Sequence, residues 1–422
     1  MEARAPRSFP PEFRWGASTA GHQVEGNNTA SDTWFLENVQ PTVFREPSGA
    51  ACNSYELWRQ DIDLVAGLGL NTYRFSVEWA RVEPAEGEFS DAALAHYRAM
   101  VDYCRESGIA PVVTYNHFTA PHWFAAGGGW LDQRAPELFA RYCGVVTEWL
   151  GDGVAWAVTL NEPDLPHLLS WLPIPDAVHD LERETLLAAG EKAGVPRYRV
   201  ANVVLREDMD TMAEIMAAGH RAARAAIKAR RPDLPVGLSL AMSDDQAVGD
   251  DTSVRDRKRA EVYGRWLELA REDDFLGVQN YTRDRYDGTG PVSPPPDAAM
   301  NQMFGEVWPP SLGGAVRYAY AAAGVPLLVT EHGLGHRDDR VRAAFIEPAL
   351  AGLLDAIEDG VPVLGYLHWS LLDNFEWIFG YDVRFGLHEV DRATFARTAK
   401  PSAAVYAKIA GANAVGQSSH DG

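Results

Sequence analysis

The sequence predicts an α/β fold, a single (β/α)8 TIM barrel, and three observations carry that prediction. Short apolar runs alternate with helix-period stretches from one end of the chain to the other. The runs show little in-and-out alternation, as strands covered on both faces should. Turn formers and polar residues crowd their C-terminal ends, the face on which such barrels do chemistry.

Taken in order, the predicted strands are Arg14–Ser18, Asn71–Phe75, Pro111–Tyr115, Val154–Leu160, Val236–Leu240, Phe275–Val278, Leu327–Thr330 and Val363–Leu367. Between and after them, apolar residues at helical spacing predict helices over Ser54–Gly67, Asp91–Ser107, Pro136–Leu150, Asp208–Arg231, Val254–Arg271, Ser311–Ala323, Arg342–Glu358 and Ser402–Ile409. Ser54, Asp91 and Ser402 are suited to cap their helices. An open doubly wound sheet would need a glycine-rich phosphate turn after an early strand, and the sequence has none. A barrel with insertions absorbs more than about 400 residues as one domain, so the 422 residues divide as a tail (1–8), a barrel (9–410) and a small, polar, flexible tail (411–422). Two long segments, 164–206 and 282–310, read as irregular loops on the catalytic face, and the second as a mobile rim.

The composition narrows the partners. Lys plus Arg is 38 and Asp plus Glu is 59, a formal charge of −21, which repels nucleic-acid backbones and anionic membranes. No apolar run is long enough to span a bilayer, and Met1–Pro11 has no apolar stretch of the signal-peptide kind. Cys52, Cys104 and Cys143 are odd in number and lack metal-site spacing. A cytoplasmic protein with buried free thiols is expected, with no cofactor and no metal. The oligomeric state is left open. His117 and His122 do not form the helical His-Glu-x-x-His pair of a zinc protease.

Glu162, in Thr159-Leu160-Asn161-Glu162-Pro163, and Glu331, in Val329-Thr330-Glu331-His332-Gly333, each close a predicted strand. Two carboxylates on the catalytic face suit glycoside hydrolysis: one handles the proton, the other attacks or activates water. Further polar and aromatic residues fall at the same strand ends: His22, Gln23, Arg74, Asn116, His117, Asn161, Gln279, Asn280, Tyr281, His368 and Trp369, with Asn374-Phe375-Glu376-Trp377 shortly after. Sugars need planar donors and acceptors for their hydroxyls and an aromatic plate for their C–H face, which these side chains supply.

From Phe9 to about Ile409 the chain resembles glycoside hydrolase family 1, the β-glucosidase family. The resemblance rests on Trp15-Gly16-Ala17-Ser18-Thr19-Ala20 with Gln23-Val24-Glu25-Gly26, on Tyr73-Arg74-Phe75-Ser76, on both glutamate motifs, and on Trp369 through Trp377. Arg384-Phe385-Gly386-Leu387 and Lys400-Pro401-Ser402-Ala403 follow in order. It implies Glu162 as general acid and base and Glu331 as nucleophile, with Arg74 and Tyr281 orienting Glu331. It implies Asn161 at the sugar 2-hydroxyl, Gln23, His117, Glu376 and Trp377 at the others, and Trp369 beneath the ring. The implied reaction is hydrolysis of an unphosphorylated β-glycoside, most simply a β-glucoside, through a covalent glycosyl-enzyme. Transglycosylation, or sugar binding without catalysis, are the alternatives on the same fold.

The chain also departs from the family pattern. Phe118-Thr119 replace Trp-Asp after His117, Gln279-Asn280-Tyr281 replaces Asn-Tyr-Tyr, and His332 replaces the Asn after the nucleophile. Asp164 replaces an aromatic two residues past the acid. An acidic residue there leads to the expectation of a polar or cationic leaving group, against the alternative that Asp164 only caps its turn.

Overall fold

The computed structural model describes residues 6–416. Eight parallel strands close into a barrel: β1 Arg14–Ser18, β2 Thr72–Ser76, β3 Ala110–Asn116, β4 Trp156–Asn161, β5 Val236–Ala241, β6 Leu276–Asn280, β7 Leu327–His332 and β8 Val363–Trp369. Their order around the barrel is their order in the chain, with β8 closing on β1 through Gly365↔Arg14 to Trp369↔Ser18. All eight strands lie where the apolar runs predicted, with boundaries displaced by one or two residues. The N-terminal part of the interior is filled by Val112, Val158, Phe275, Leu328 and Leu367. The larger apolar cluster lies outside the sheet, between strands and helices. The barrel is therefore plugged from below, and its C-terminal mouth is left for polar side chains.

The surrounding helices begin and end near their predicted limits, but their caps differ. Ser90, not Asp91, caps Asp91–Glu106 by accepting from Ala93 N. Ser54 and Ser402 lie inside their helices, which start from Asn53 and Lys400. The stretch 254–271 breaks into Ser253–Val262 and Gly264–Ala270.

Three expectations are corrected. Segment 164–206 is largely helical, with Leu165–Ser170 and Asp176–Ala193; the second packs Leu186 and Ala189 against Leu36, Phe44 and Phe375 in a separate apolar cluster. Segment 282–310 is pinned rather than loose. Arg283–Tyr286 pairs in parallel with Asp244–Ala247, Arg283 grips Glu306 at 2.7 and 2.9 Å, and Gln302 bonds Gly335 O and Asp382 O. The expected tails also join the body. Arg7–Ser8 pairs antiparallel with Ala414–Val415, and Asn413 Nδ2 donates to Phe9 O at 2.9 Å. The last part of the predicted C-terminal tail, 417–422, lies outside the described residues, as do residues 1–5.

The two glutamate-bearing strands share an irregularity. On β4, Val158↔Gly237 is followed by Asn161↔Ser239, three residues opposite two on β5. On β7, Val329↔Val278 is followed by Glu331↔Gln279, two residues opposite one on β6. Each strand thus carries one extra residue just before its polar end. A bulge re-aims the side chains that follow it. Leu328 faces the barrel interior, so strict alternation would turn Glu331 outward and His332 inward. Instead His332 faces out, stacked on Phe345 of helix Asp339–Glu358 and bonded to Tyr366, and Glu331 enters the mouth.

Candidate active site

Arg74, in the middle of β2, is fully buried and organises the mouth. Its Nη1 donates to Glu331 Oε1 at 2.5 Å, its Nη2 to Asn161 Oδ1 at 2.5 Å, and its Nε to Thr114 Oγ1 on β3 at 2.9 Å. Tyr281, just past β6, donates to the other Glu331 oxygen at 2.6 Å. Both carboxylate oxygens of Glu331 are therefore held. Across the barrel, Glu162 follows β4 with its backbone N–H on Ser239 O at 2.8 Å. Its φ is +45°, a left-handed conformation that non-glycine residues adopt only when the surroundings impose it. Its carboxyl makes no hydrogen bond among the described residues.

That asymmetry sorts the two carboxyls. Burial lifts the pKa of both. At Glu331 the Arg74 charge and the Tyr281 hydrogen bond oppose the rise. At Glu162 burial is reinforced by Glu331 and Asp164, Arg74 opposes it from a distance, and the carboxyl is held well above the usual carboxylate range. A proton shared by the pair therefore belongs on Glu162.

The neighbouring donors and acceptors follow from their hydrogen-bond partners. Asn161 Oδ1 accepts from both Arg74 and Gln279 Nε2, the latter at 2.8 Å, so its Nδ2 faces His117 Nε2 at 3.3 Å. Burial, then Arg74, depress the His117 pKa and keep the ring neutral. With Nε2 accepting, the His117 proton sits on Nδ1, which has no protein partner. Gln23 Nε2 donates to Phe375 O at 2.8 Å, Asn374 Oδ1 at 3.2 Å and Glu376 Oε2 at 3.3 Å. Its Oε1 is likewise buried without a protein partner. Gln279 Oε1 is a further buried acceptor without a partner among the described residues, so unmatched donors and acceptors are both present here, as a polyhydroxylated ligand requires.

The aromatic members surround the same space. His117 is near-parallel to Trp369 (5.7 Å, 12°) and to Trp377 (6.2 Å, 13°), and Phe118 meets Trp377 edge-on at 5.4 Å. Gly333 allows the strand ends to meet here: a Cβ on it would lie 1.9 Å from Trp369 O.

Nine of the ten residues singled out as acid, nucleophile, nucleophile-orienting and sugar contacts, Gln23, Arg74, His117, Asn161, Tyr281, Glu331, Trp369, Glu376 and Trp377, converge on this mouth through these contacts. The tenth, Glu162, is close enough to Glu331, Arg74 and Glu376 to feel their charges. Other strand-end residues do not. Asn280 is spent on Met242 O, Thr282 O and Ser311, and His368 is bonded to Tyr366 behind the sheet. Gln279 and Thr114 are the members whose supporting contacts sequence reasoning did not assign. Their signal was only position, a polar residue near the end of a barrel strand.

Asp164 overturns the expectation attached to it. It is completely buried, and its Oδ1 accepts from Ala241 N at the end of β5 at 3.1 Å. It ties the turn after Glu162 to the next strand, and burial pushes its pKa up to about 8, so near neutral pH it presents little charge to a leaving group. Nearby in that segment the exposed Leu169 and Leu172 flank Trp171, which meets Tyr286 edge-on at 5.9 Å under the Arg257 guanidinium.

Comparison with known proteins agrees with the geometry. The family profile described as glycosyl hydrolase family 1 matches residues 5–185 and 267–415. A β-glucosidase of Agrobacterium sp. (strain ATCC 21400) is 30% identical over 442 residues, covering 95% of each chain. A bifunctional β-D-glucosidase/β-D-fucosidase of Bifidobacterium breve is 30% identical over 457 residues, covering 93% of this chain and 96% of the relative. Among solved structures, a crystallised β-glycosidase superposes with a TM-score of 0.89 at 45% identity, covering 98% of this chain and 100% of that one.

Proposed function

The chain belongs to glycosyl hydrolase family 1 and is a glycoside hydrolase, and from that premise we propose that it cleaves unphosphorylated β-glucosides with retention of configuration. The observation that carries this reading is the unequal treatment of the two carboxyls: Glu331 is gripped on both oxygens by Arg74 and Tyr281, while the Glu162 carboxyl is unbonded and raised in pKa.

In the first step the Glu162 proton passes to the glycosidic oxygen as Glu331 attacks the anomeric carbon, and the aglycone leaves as an alcohol. Charge on Glu331 falls as its bond to the sugar forms. Arg74 and Tyr281 then stabilise that charge as it returns in the second step. There the Glu162 carboxylate takes a proton from water, the water oxygen attacks the anomeric carbon, and Glu331 departs. Two inversions give net retention. Such a route calls for carboxyls about 5–5.5 Å apart. His117 Nδ1–H and Gln23 Oε1 supply a donor and an acceptor for sugar hydroxyls, and Glu376 and Trp377 complete the set. The three cysteines are free and buried, which supports a cytoplasmic setting.

Glu331→Ala should lose activity by several orders of magnitude. Added azide should restore part of it and yield the glycosyl azide of inverted anomer, followed by NMR. Rescue giving the original anomer would overturn the assignment of Glu331.

A further inference from the structure

The loop after β8 that carries Glu376 and Trp377 is a tight turn, closed by Glu376 N–H donating to Gly380 O at 2.7 Å and Gly380 N–H to Trp377 O at 3.0 Å. Trp377 opens a three-residue 3-10 turn, Trp377–Phe379, from a left-handed conformation with φ +50°. Two consecutive residues of the short helix after β1, Gly21–Val24, hold this loop by different means. Gln23 does so with the hydrogen bonds already described. His22 does so with its ring, which lies parallel to the Trp377 indole at 5.9 Å and 6° and meets Phe375 edge-on at 6.1 Å.

His22 is itself clamped. Its backbone N–H donates to Glu78 at 3.1 Å, and its Nε2 lies 2.8 Å from Glu37 Oε1, with both side chains of that pair 0% exposed. The Glu37 Oε2 accepts from Ser48 N at 2.9 Å and Ser48 Oγ at 2.7 Å. Ser48 O in turn accepts from the hydroxyl of Tyr381, four residues beyond Trp377. The contacts form a circuit, His22–Glu37–Ser48–Tyr381, that closes on both ends of the Trp377 turn. Burial alone would discharge His22, but Glu37, then Glu78 and Asp32, outweigh it and raise its pKa above the usual histidine value. A charged imidazole against an indole face adds a cation–π attraction.

We propose that His22, through its stack on Trp377 and its pairing with Glu37, is a specificity-determining positioning residue for the sugar end that Glu376 and Trp377 engage. It acts on hydroxyl recognition and not on bond cleavage, because it contacts neither Glu162 nor Glu331. This rests on the β-glucosidase reading above and adds to it a residue outside the sugar-contact set.

The experiment compares 4-nitrophenyl β-glucoside with its 4-deoxy and 6-deoxy analogues, on the wild-type enzyme and on His22→Phe. Phenylalanine keeps a flat ring and removes the pairing. For the parent glucoside KM should rise about ten-fold, with kcat changed less than about two-fold. For at least one deoxy analogue KM should hardly move, because the lost contact was to the missing hydroxyl. An unpaired buried Glu37 can destabilise the fold, so the double variant His22→Phe/Glu37→Gln is measured beside it, with thermal melting of each. The same KM pattern is expected. Equal losses on all three sugars, or a fall in kcat at constant KM, would overturn the proposal as a merely structural or catalytic effect. A wild-type protein inactive on all three would instead remove the β-glucosidase reading, and this inference with it.

Discussion

Arg74 joins Glu331 to Asn161: one guanidinium nitrogen lies 2.5 Å from the Glu331 carboxylate and another 2.5 Å from the Asn161 carbonyl oxygen. Asn161, which precedes Glu162, and Glu331 are thus fixed against the same rigid fork. Planar, bidentate recognition of this kind is what arginine provides and lysine does not. Arg74→Lys should therefore lower kcat about 10²-fold or more while the protein remains folded, because the charge is kept but the fork that orients Glu331 and Asn161 together is lost. Circular dichroism and steady-state kinetics on one aryl glucoside suffice, and a variant within a few-fold of wild type would contradict the role given to the fork.

Tyr281→Phe removes the hydroxyl from Glu331 Oε2. That hydrogen bond favours the ionised carboxylate, so its loss raises the Glu331 pKa. The acid limb of kcat/KM, which follows ionisation of the nucleophile in the free enzyme, should move to higher pH, and kcat should fall about ten- to a hundred-fold. An acid limb that stays in place would show that Tyr281 does not tune Glu331.

Asp164→Asn tests the alkaline limb. Burial, Glu331 and Asp164, in that order, raise the Glu162 pKa. Burial pushes the pKa of Asp164 itself up to about 8, so its charge acts on Glu162 only as pH rises through that value. Asparagine can still accept from Ala241 N but never carries the charge, so the alkaline limb should shift to lower pH where it lies above about pH 8 and stay in place where it lies below. Because Asp164 is buried away from the cleft, the ranking of leaving groups should stay the same. A changed preference between aryl and amine-bearing aglycones would restore the polar leaving-group reading that the structure removed. Trp171→Ala should instead weaken aryl glucosides selectively, by about three- to ten-fold in KM.

Glu376 bears on phosphorylated sugars. Burial and then Glu331 push its pKa up to about 8, against the Gln23 hydrogen bond. Below that pH the carboxyl is largely neutral, so charge repulsion toward a 6-phosphate is weak, and it grows as pH rises through about 8. Exclusion at lower pH must come from the cost of burying an unpaired phosphate anion. The glucoside to 6-phosphoglucoside ratio of kcat/KM should exceed about 10² at pH 6 and widen by pH 9. A ratio below one at either pH would show that the site accepts the phosphosugar.

The sequence by itself determined the order of elements, the barrel, and every residue type the site needs. Apolar runs of strand length and helix-period stretches are local signals, and Glu162, Glu331 and Trp369 stand at or just past strand ends, where the pattern places them. Tertiary structure decided which way those ends face. One extra residue in β4 and one in β7 turn Asn161 and Glu331 into the mouth and His332 out of it, and a bulge is defined by the neighbouring strand, which local periodicity cannot see. The fate of Asp164 was settled in the same way. Its position beside the acid suggested the cleft, but the unpaired Ala241 N–H of the next strand drew it inward. The His22–Glu37 pair joins residues 15 apart and acts on a loop more than 350 residues away, a relationship that exists only once the barrel has closed.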